Sequence, residues 1–229
     1  KFTFKLPKTA APKFYYLGYD ENMVKPILIG SESDVLIEGS CQNIKSAAVK
    51  SNEFMQLNQV MNRVTADKNE FGGYINEMRN VYNDTSAMGG IRRKMLSLDN
   101  RRLSYLDSLK KSNPFLHKIA ALNTYISYQP TNQKYADELS YFINEYIGQA
   151  DFKDPIYNEI PQVFDQFSDF TQNLGGIGLP EEMQKTALDN YLSKMTEGSQ
   201  CHRYALGGIV SRYISSSNAT NYIYYAEKY

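Results

Sequence analysis

The hydrophobic period of the chain changes at Ser51, and this change decides what kind of fold it can adopt. Before it, apolar residues alternate. Phe2 and Phe4 alternate with Thr3 and Lys5, and short runs follow at Phe14–Leu17, Pro26–Ile29 and Val35–Gly39. Alternation of period two marks strands with one buried face, so the first fifty residues read as four short strands spaced about ten residues apart, a spacing typical of small antiparallel sheets. After Ser51-Asn52-Glu53, a polar helix start, the spacing becomes helical: Phe54, Leu57, Met61 and Val64, then Phe71, Ile75, Met78 and Tyr82. The expected fold class is therefore α+β, predominantly α: a short N-terminal antiparallel β region followed by an irregular multi-helix bundle. The expected domains are a small β domain over 1–50, incomplete at its N-terminus, and a helical domain over 51–229.

Within the helical part, Gly72-Gly73 and Met88-Gly89-Gly90 are expected weak points or breaks, since each glycine costs about 1 kcal/mol in a helix. Leu103, Leu106 and Leu109 recur every third position. Asn113-Pro114 starts a helix along Phe115, Ile119, Leu122 and Ile126, closed by Gln129-Pro130. Tyr135, Leu139, Phe142 and Tyr146 form the next stripe. Asp154-Pro155 caps a turn and Pro161 opens a longer helix. Gly175-Gly176-Ile177-Gly178 is the clearest break, and helices are expected near 181–196, 199–215 and 219–229. That makes seven to nine helices of unequal length, without the fixed period of a repeat array.

Composition narrows the function classes. The 25 basic residues equal the 25 acidic ones, so no charge excess points to nucleic acid. No apolar run approaches the roughly 20 residues that span a bilayer. Lys1-Phe2-Thr3-Phe4 reads as the middle of a strand and Tyr229 as an unfinished helix, so a trimmed chain is expected. The 19 tyrosines with no tryptophan suit half-buried helix faces and interfaces, because the ring buries area while the hydroxyl stays wet. A tyrosine-lined surface for a peptide or glycan is the sharper version of that reading.

Side chains that could carry chemistry are few. Cys41 and Cys201 lie far apart in sequence and fit no C-x-x-C or zinc spacing. They read as isolated thiols, with a long-range disulfide left open. His117 and His202 lie in no metal-ligand pattern, and a Cys201–His117 pair would require a fold-back. The stretch Arg92-Arg93-Lys94 with Arg101-Arg102, diluted by Asp99 and Asp107, reads as a solvated helix face. Glu181-Glu182 and Asp151/Asp154 suit helix starts, where negative charge meets the dipole. Gly175–Gly178 lacks the Lys-Ser/Thr of a phosphate loop. Asn83-Asp84-Thr85 and Asn218-Ala219-Thr220 match the N-glycosylation pattern. The closing run Tyr222–Tyr229 is aromatic on more than one helix face, which suits either core or a contact with another domain. No catalytic, cofactor-binding or metal-ligating residue is expected, and no cofactor.

Two segments resemble a known family. Val35-Leu36-Ile37-Glu38-Gly39-Ser40, leading to Val49-Lys50-Ser51-Asn52-Glu53-Phe54, looks like the small N-terminal domain of Bacteroidetes thioredoxin-like (redoxin) lipoproteins. Asp151–Pro155, Ile160-Pro161-x-Val163, Leu188–Leu192, Tyr213–Ser217 and Tyr225–Tyr229 resemble the uncharacterised helical domain of the same proteins. The resemblance implies a C-terminal thioredoxin-like partner domain, a protein or peptide client, a lipid anchor upstream and a periplasmic or outer-membrane-anchored setting. The chain has no C-x-x-C and no Trp, so the dithiol of that family is not in these residues. The resemblance thus implies a non-catalytic accessory or interaction region of an exported thiol-disulfide oxidoreductase. The alternative is a stand-alone glycan- or peptide-binding helical lipoprotein of the cell envelope.

Overall fold

Among the described residues, the alternating segments of the first fifty form strands, and most of the helically spaced segments form helices. The computed structural model describes residues 12–18, 24–32, 34–81, 83–129 and 134–229. Among them are eight α-helices and two short two-stranded antiparallel sheets, an α+β fold that is mostly α. The expected strand at Phe2–Lys5 lies outside the described residues. Two compact units divide the chain, residues 1–63 and 64–229. The boundary falls inside α1 (Asn52–Asn80) because Phe54, on the first turn of that helix, packs into the β core.

In the first unit, β1 (Lys13–Gly18) pairs with β2 (Val24–Ile29), from Lys13 opposite Ile29 to Gly18 opposite Val24. β3 (Leu36–Glu38) pairs with β4 (Ala48–Lys50), a strand the alternation did not reveal. Ile27, Ile29 and Val49 form the core, with Tyr15, Val35, Ile37 and Phe54 against it. The start of α1 is tied to the loop after β2. The Ser51 hydroxyl accepts from the Phe54 N–H at 3.1 Å and lies 3.1 Å from the Leu28 carbonyl and 2.7 Å from Glu32 Oε1. The Glu32 carboxylate also accepts from the Glu53 N–H at 3.1 Å and the Gly30 N–H at 2.8 Å. Burial works to raise the Glu32 pKa, but these donors together hold it below the usual carboxylate range. A Cβ at Gly30 would overlap the Glu53 side chain, which would have to shift to admit it.

In the second unit, the rest of α1 runs antiparallel to α2 (Thr85–Ser112), with Lys94 Nζ 2.9 Å from Glu77 and Arg101 2.6 Å from Glu70. Neither double glycine breaks its helix: α1 is continuous for 29 residues and α2 for 28. Asn113 ends α2 and caps α3 (Pro114–Leu122), its Oδ1 accepting from the Leu116 N–H at 3.1 Å. The helix stops at Leu122 and does not reach Ile126 as its apolar spacing suggested. Asn123 Nδ2 donates to the Ile119 carbonyl at 3.0 Å and the Thr124 hydroxyl to that of Ala120 at 2.7 Å, which satisfies carbonyls that another turn would have used. Residues 124–129 then run without regular structure.

α4 (Glu138–Glu145), a 3₁₀ turn at Pro155–Glu159 capped by Asp154, α5 (Gln162–Gly176), α6 (Glu181–Leu192), α7 (Gln200–Ile214) and α8 (Ala219–Ala226) complete the unit. Its core holds Leu116, Ile119, Leu122, Ile147, Tyr157, Phe167, Phe170, Leu188, Tyr191 and Ile209, all almost fully buried. α5 and α7 pack with their backbones in near contact at Gly208, where a Cβ would overlap the Phe164 carbonyl oxygen. The α5–α6 break falls where the glycines place it, with Gly178 at φ +74°.

Candidate functional site

The strongest concentration of buried polar chemistry lies where residues 124–129 cross the α1–α2 hairpin. Arg102, expected on a solvated face, is instead 5% exposed. Its guanidinium donates to Asp99 Oδ1 at 3.3 Å, to the Tyr125 carbonyl at 2.8 Å and to the Asp67 carbonyl at 2.6 Å, and lies over the Phe71 ring at 5.3 Å. Asp99 in turn accepts from the Ser127 N–H at 3.0 Å and from the Ser127 hydroxyl. Gln129 Nε2 donates to the same hydroxyl at 3.2 Å. Burial raises the Asp99 pKa even against Ser127 and Arg102, and it lowers that of Arg102. The sequence reading missed this because a charged run looks solvated. The signal available was the i, i+3 spacing of Asp99 and Arg102, on the same face of α2 as Met95, Leu98 and Leu106, which are buried. Ser127 is itself buried, so the trio works as a pin and has no open face toward a substrate.

Above this pin sits an aromatic cluster. Tyr125 contacts Phe71, Tyr141, Phe142 and Tyr146 at centroid distances of 5.6, 6.1, 6.0 and 5.9 Å. Tyr128 and Tyr135 meet Tyr141 at 5.6 and 5.5 Å, and Tyr146 stacks on Phe170 at 4.9 Å. Glu145 accepts from Lys134 Nζ at 2.6 Å and from the Tyr135 hydroxyl. Burial pushes the phenols of Tyr141 and Tyr146 up to about 12, so both remain neutral hydrogen-bonding groups at any physiological pH. Of the described tyrosines, Tyr141, Tyr157, Tyr191, Tyr213 and Tyr225 are buried, Tyr16 and Tyr229 are exposed, and the others are half-buried. Tyr125, Tyr128 and Tyr135 are half-buried, so the cluster is partly accessible from the surface.

A third polar knot fastens α8 to α6. Asp189 accepts from Lys185 at 2.9 Å, from the Tyr224 hydroxyl at 3.0 Å and from the Tyr225 hydroxyl at 3.3 Å. The Tyr224 ring lies between Lys185 and Lys228, at 4.1 and 4.2 Å. The closing aromatic run therefore divides by face: Tyr225 is buried in the core, while Ile223 and Tyr229 are exposed at 55% and 70%.

The remaining residues singled out in the sequence do not converge. Cys201 is a buried free thiol whose sulfur lies 3.8 Å from Met195 Sδ, and its N–H donates to Asn158 Oδ1 at 2.9 Å. Burial pushes its pKa up to about 12, the reverse of what a nucleophilic cysteine needs. The Cys41 side chain lies outside the described ones. His117 on α3 and His202 on α7 are half-buried, and burial lowers the pKa of each. Asn83 is exposed in the turn before α2, whereas Asn218 is buried as the cap of α8, its Oδ1 accepting from the Asn221 N–H at 3.0 Å. Leu103, on the every-third-residue leucine series, is 39% exposed while Leu106 and Leu109 are buried.

Two shallow surface recesses flank α2. One, of about 550 Å³, is lined by Ser104, Asp107, Ser108, Lys111 and Ser112. The other, of about 450 Å³, lies at the hairpin tip. Among the described residues no group of three or more His, Cys, Asp or Glu could hold a metal ion, and no helix is long and apolar enough to cross a membrane. No family model, curated protein or solved structure matches the chain.

The Cys201 environment gives a direct expectation. The folded protein should leave Cys201 unmodified by iodoacetamide at pH 8 over hours, and denaturant should make it react at the rate of a free thiol. Peptide mapping by mass spectrometry separates it from Cys41. Rapid labelling of Cys201 in the native state would contradict the burial described above.

Proposed function

We propose that this chain is a non-catalytic helical interaction module, accessory to an exported thioredoxin-like thiol-disulfide oxidoreductase whose redox domain is a separate part of the protein. The observation that supports it is how the reactive side chains are used. Arg102, Glu145 and Asp189 are each engaged by two or more partners from other parts of the same unit, Asp99 is held by Ser127 and by Arg102 of its own helix, and the Cys201 thiol is buried. Such groups fix helices against one another, which gives a rigid body able to hold a client near a dithiol and raise its effective concentration. The exported setting, the lipid anchor upstream and the redox partner rest on the family resemblance.

The sequence encoded beyond Tyr229 tests this first: a W-C-x-x-C motif should occur within about 150 residues, one domain's length, and its absence sinks the redox partnership. In solution, the chain alone should give no turnover in insulin reduction. Fused to its thioredoxin-like domain, it should lower the KM for a protein client several-fold and leave kcat within a factor of two.

The second reading is a stand-alone glycan- or peptide-binding protein, and the Tyr125–Tyr128–Tyr135–Tyr141 cluster favours it. Because the chain has no Trp, its intrinsic fluorescence is tyrosine emission, to which this cluster contributes. Titration with oligosaccharides or proline-containing peptides should change the emission of the parent and not of Tyr128→Ala or Tyr135→Ala. A response that survives both substitutions rules this surface out.

A further inference from the structure

The α1–α2 hairpin has a base and a tip built on different principles. At the base, Leu98, Asp99, Arg102, Leu106 and Leu109 are buried, and Arg102 reaches across to the Asp67 carbonyl. Toward the tip, no α1 residue from 68 to 80 is buried, and on α2 only Ile91 is buried between 85 and 94. Beside the half-buried Ile75, Met78, Val81, Ala87 and Met88, the polar links between the two helices there are at the surface: the Glu77–Lys94 pair, with both side chains about half exposed, and Lys94 Nζ at 5.7 Å from the Tyr74 ring. Pairs of this kind hold weakly in water.

The same stretch carries two double glycines, one on each helix, and packing demands neither. Among the described residues, a Cβ at Gly72 or Gly73 would meet nothing within 4 Å, and at Gly89 or Gly90 only the Arg93 guanidinium, at 3.8 and 4.0 Å. This contrasts with Gly208 and Gly30, where a neighbouring group occupies the space. Each helix glycine lowers the helical equilibrium about fivefold relative to alanine, and here no close approach is gained in return.

We propose that the hairpin tip, residues 72–81 and 85–92, is a hinged element that opens and recloses independently of the hairpin base, with the two double glycines as its weak points. Val81, Ala87 and Ile91 belong to the 450 Å³ recess at this tip, and Glu77 and Lys94 lie on its rim. Opening the tip breaks that ion pair and changes the shape of the recess, while the Asp99–Arg102–Ser127 pin stays closed. The element is thus a conformational device placed at the end of a rigid arm, drawn from the low-stability range that local opening requires.

Native-state hydrogen exchange on the full chain tests this, read by mass spectrometry on peptides from the tip and from residues 98–109. Tip amides should exchange at least about 100-fold faster than base amides. The fourfold variant Gly72→Ala, Gly73→Ala, Gly89→Ala, Gly90→Ala, at positions open enough to accept Cβ atoms, should slow tip exchange several hundred-fold, about fivefold for each glycine, and leave the base unchanged. Tip and base exchanging at one common rate would overturn the proposal. So would a fourfold variant that leaves tip exchange as it was, or that slows tip and base equally.

Discussion

Replacing Gly208 by alanine should destabilise the helical unit by about 3 kcal/mol, a large loss for one methyl group. The Cβ would overlap the Phe164 carbonyl oxygen and stand 3.0 Å from Ser168 N and 3.1 Å from Phe164 C. All three are backbone atoms of α5, and a helix backbone cannot step aside as a side chain can. The two helices would have to separate, and Phe167, Phe170 and Ile209, each 0% exposed, sit in the packing that separation would loosen. For a chain of this size, 3 kcal/mol corresponds to a fall in Tm of roughly 6–12 °C, readable by circular dichroism or calorimetry.

Gly207 is the internal control. Its Cβ would lie 3.2 Å from the Phe164 and Tyr229 rings, which are ends of movable side chains, and Tyr229 is 70% exposed. Gly207→Ala also gains about 1 kcal/mol of helix propensity. Its Tm should stay within about 3 °C of the parent, given the same conversion from free energy. Equal effects at the two positions would mean that the close α5–α7 approach is not what requires glycine at 208.

How much of this could be read beforehand follows from what each feature leaves in the sequence. The change of period at Ser51 carried the fold class, because periodicity is the imprint of burial on one face. The starts of α3 and α5 were legible from Asn113-Pro114 and Pro161, since capping is local chemistry. The double glycines illustrate the limit. Gly72-Gly73 and Gly89-Gly90 lie within continuous helices, while Gly175–Gly178 marks a real break, yet the two kinds look alike in sequence. Of these glycines, Gly178 alone takes a left-handed φ. The function of Gly208 was invisible because its reason lies on another helix. Arg102 was misread for a related cause: its partners Asp67 and Tyr125 sit on separate segments, and long-range partners leave no periodic trace. With the polar groups of the aromatic cluster the failure is similar. Tyr125 and Tyr128 lie on an irregular strap whose course depends on the pin beneath it.

That pin supplies the other large effect. Arg102→Met keeps most of the side-chain volume and removes the charge, so it should cost about 3–5 kcal/mol, the range for leaving a buried partner charge unpaired. Asp99 would remain, 2% exposed, with Ser127 the one partner left to its carboxylate among the described residues. The double variant Asp99→Asn, Arg102→Met removes both charges and should be less destabilised than the sum of the single variants by at least about 1 kcal/mol. The pH dependence follows from the direction of the Asp99 shift. Burial raises its folded-state pKa above the unfolded value, so the folded protein binds this proton more readily than the unfolded chain. Stability tied to that proton is therefore complete below the unfolded pKa and is lost as pH rises through the folded one. Without Arg102 the folded pKa rises further, because the cation that favoured the carboxylate is gone. The deficit of Arg102→Met should accordingly be greatest near pH 7 and shrink as pH is lowered toward about 4, measured as the difference in urea midpoint between variant and parent. A deficit that stays constant or grows on acidification would show that Arg102 acts through its contacts with the Asp67 and Tyr125 carbonyls and the Phe71 ring, and not through the charge of Asp99.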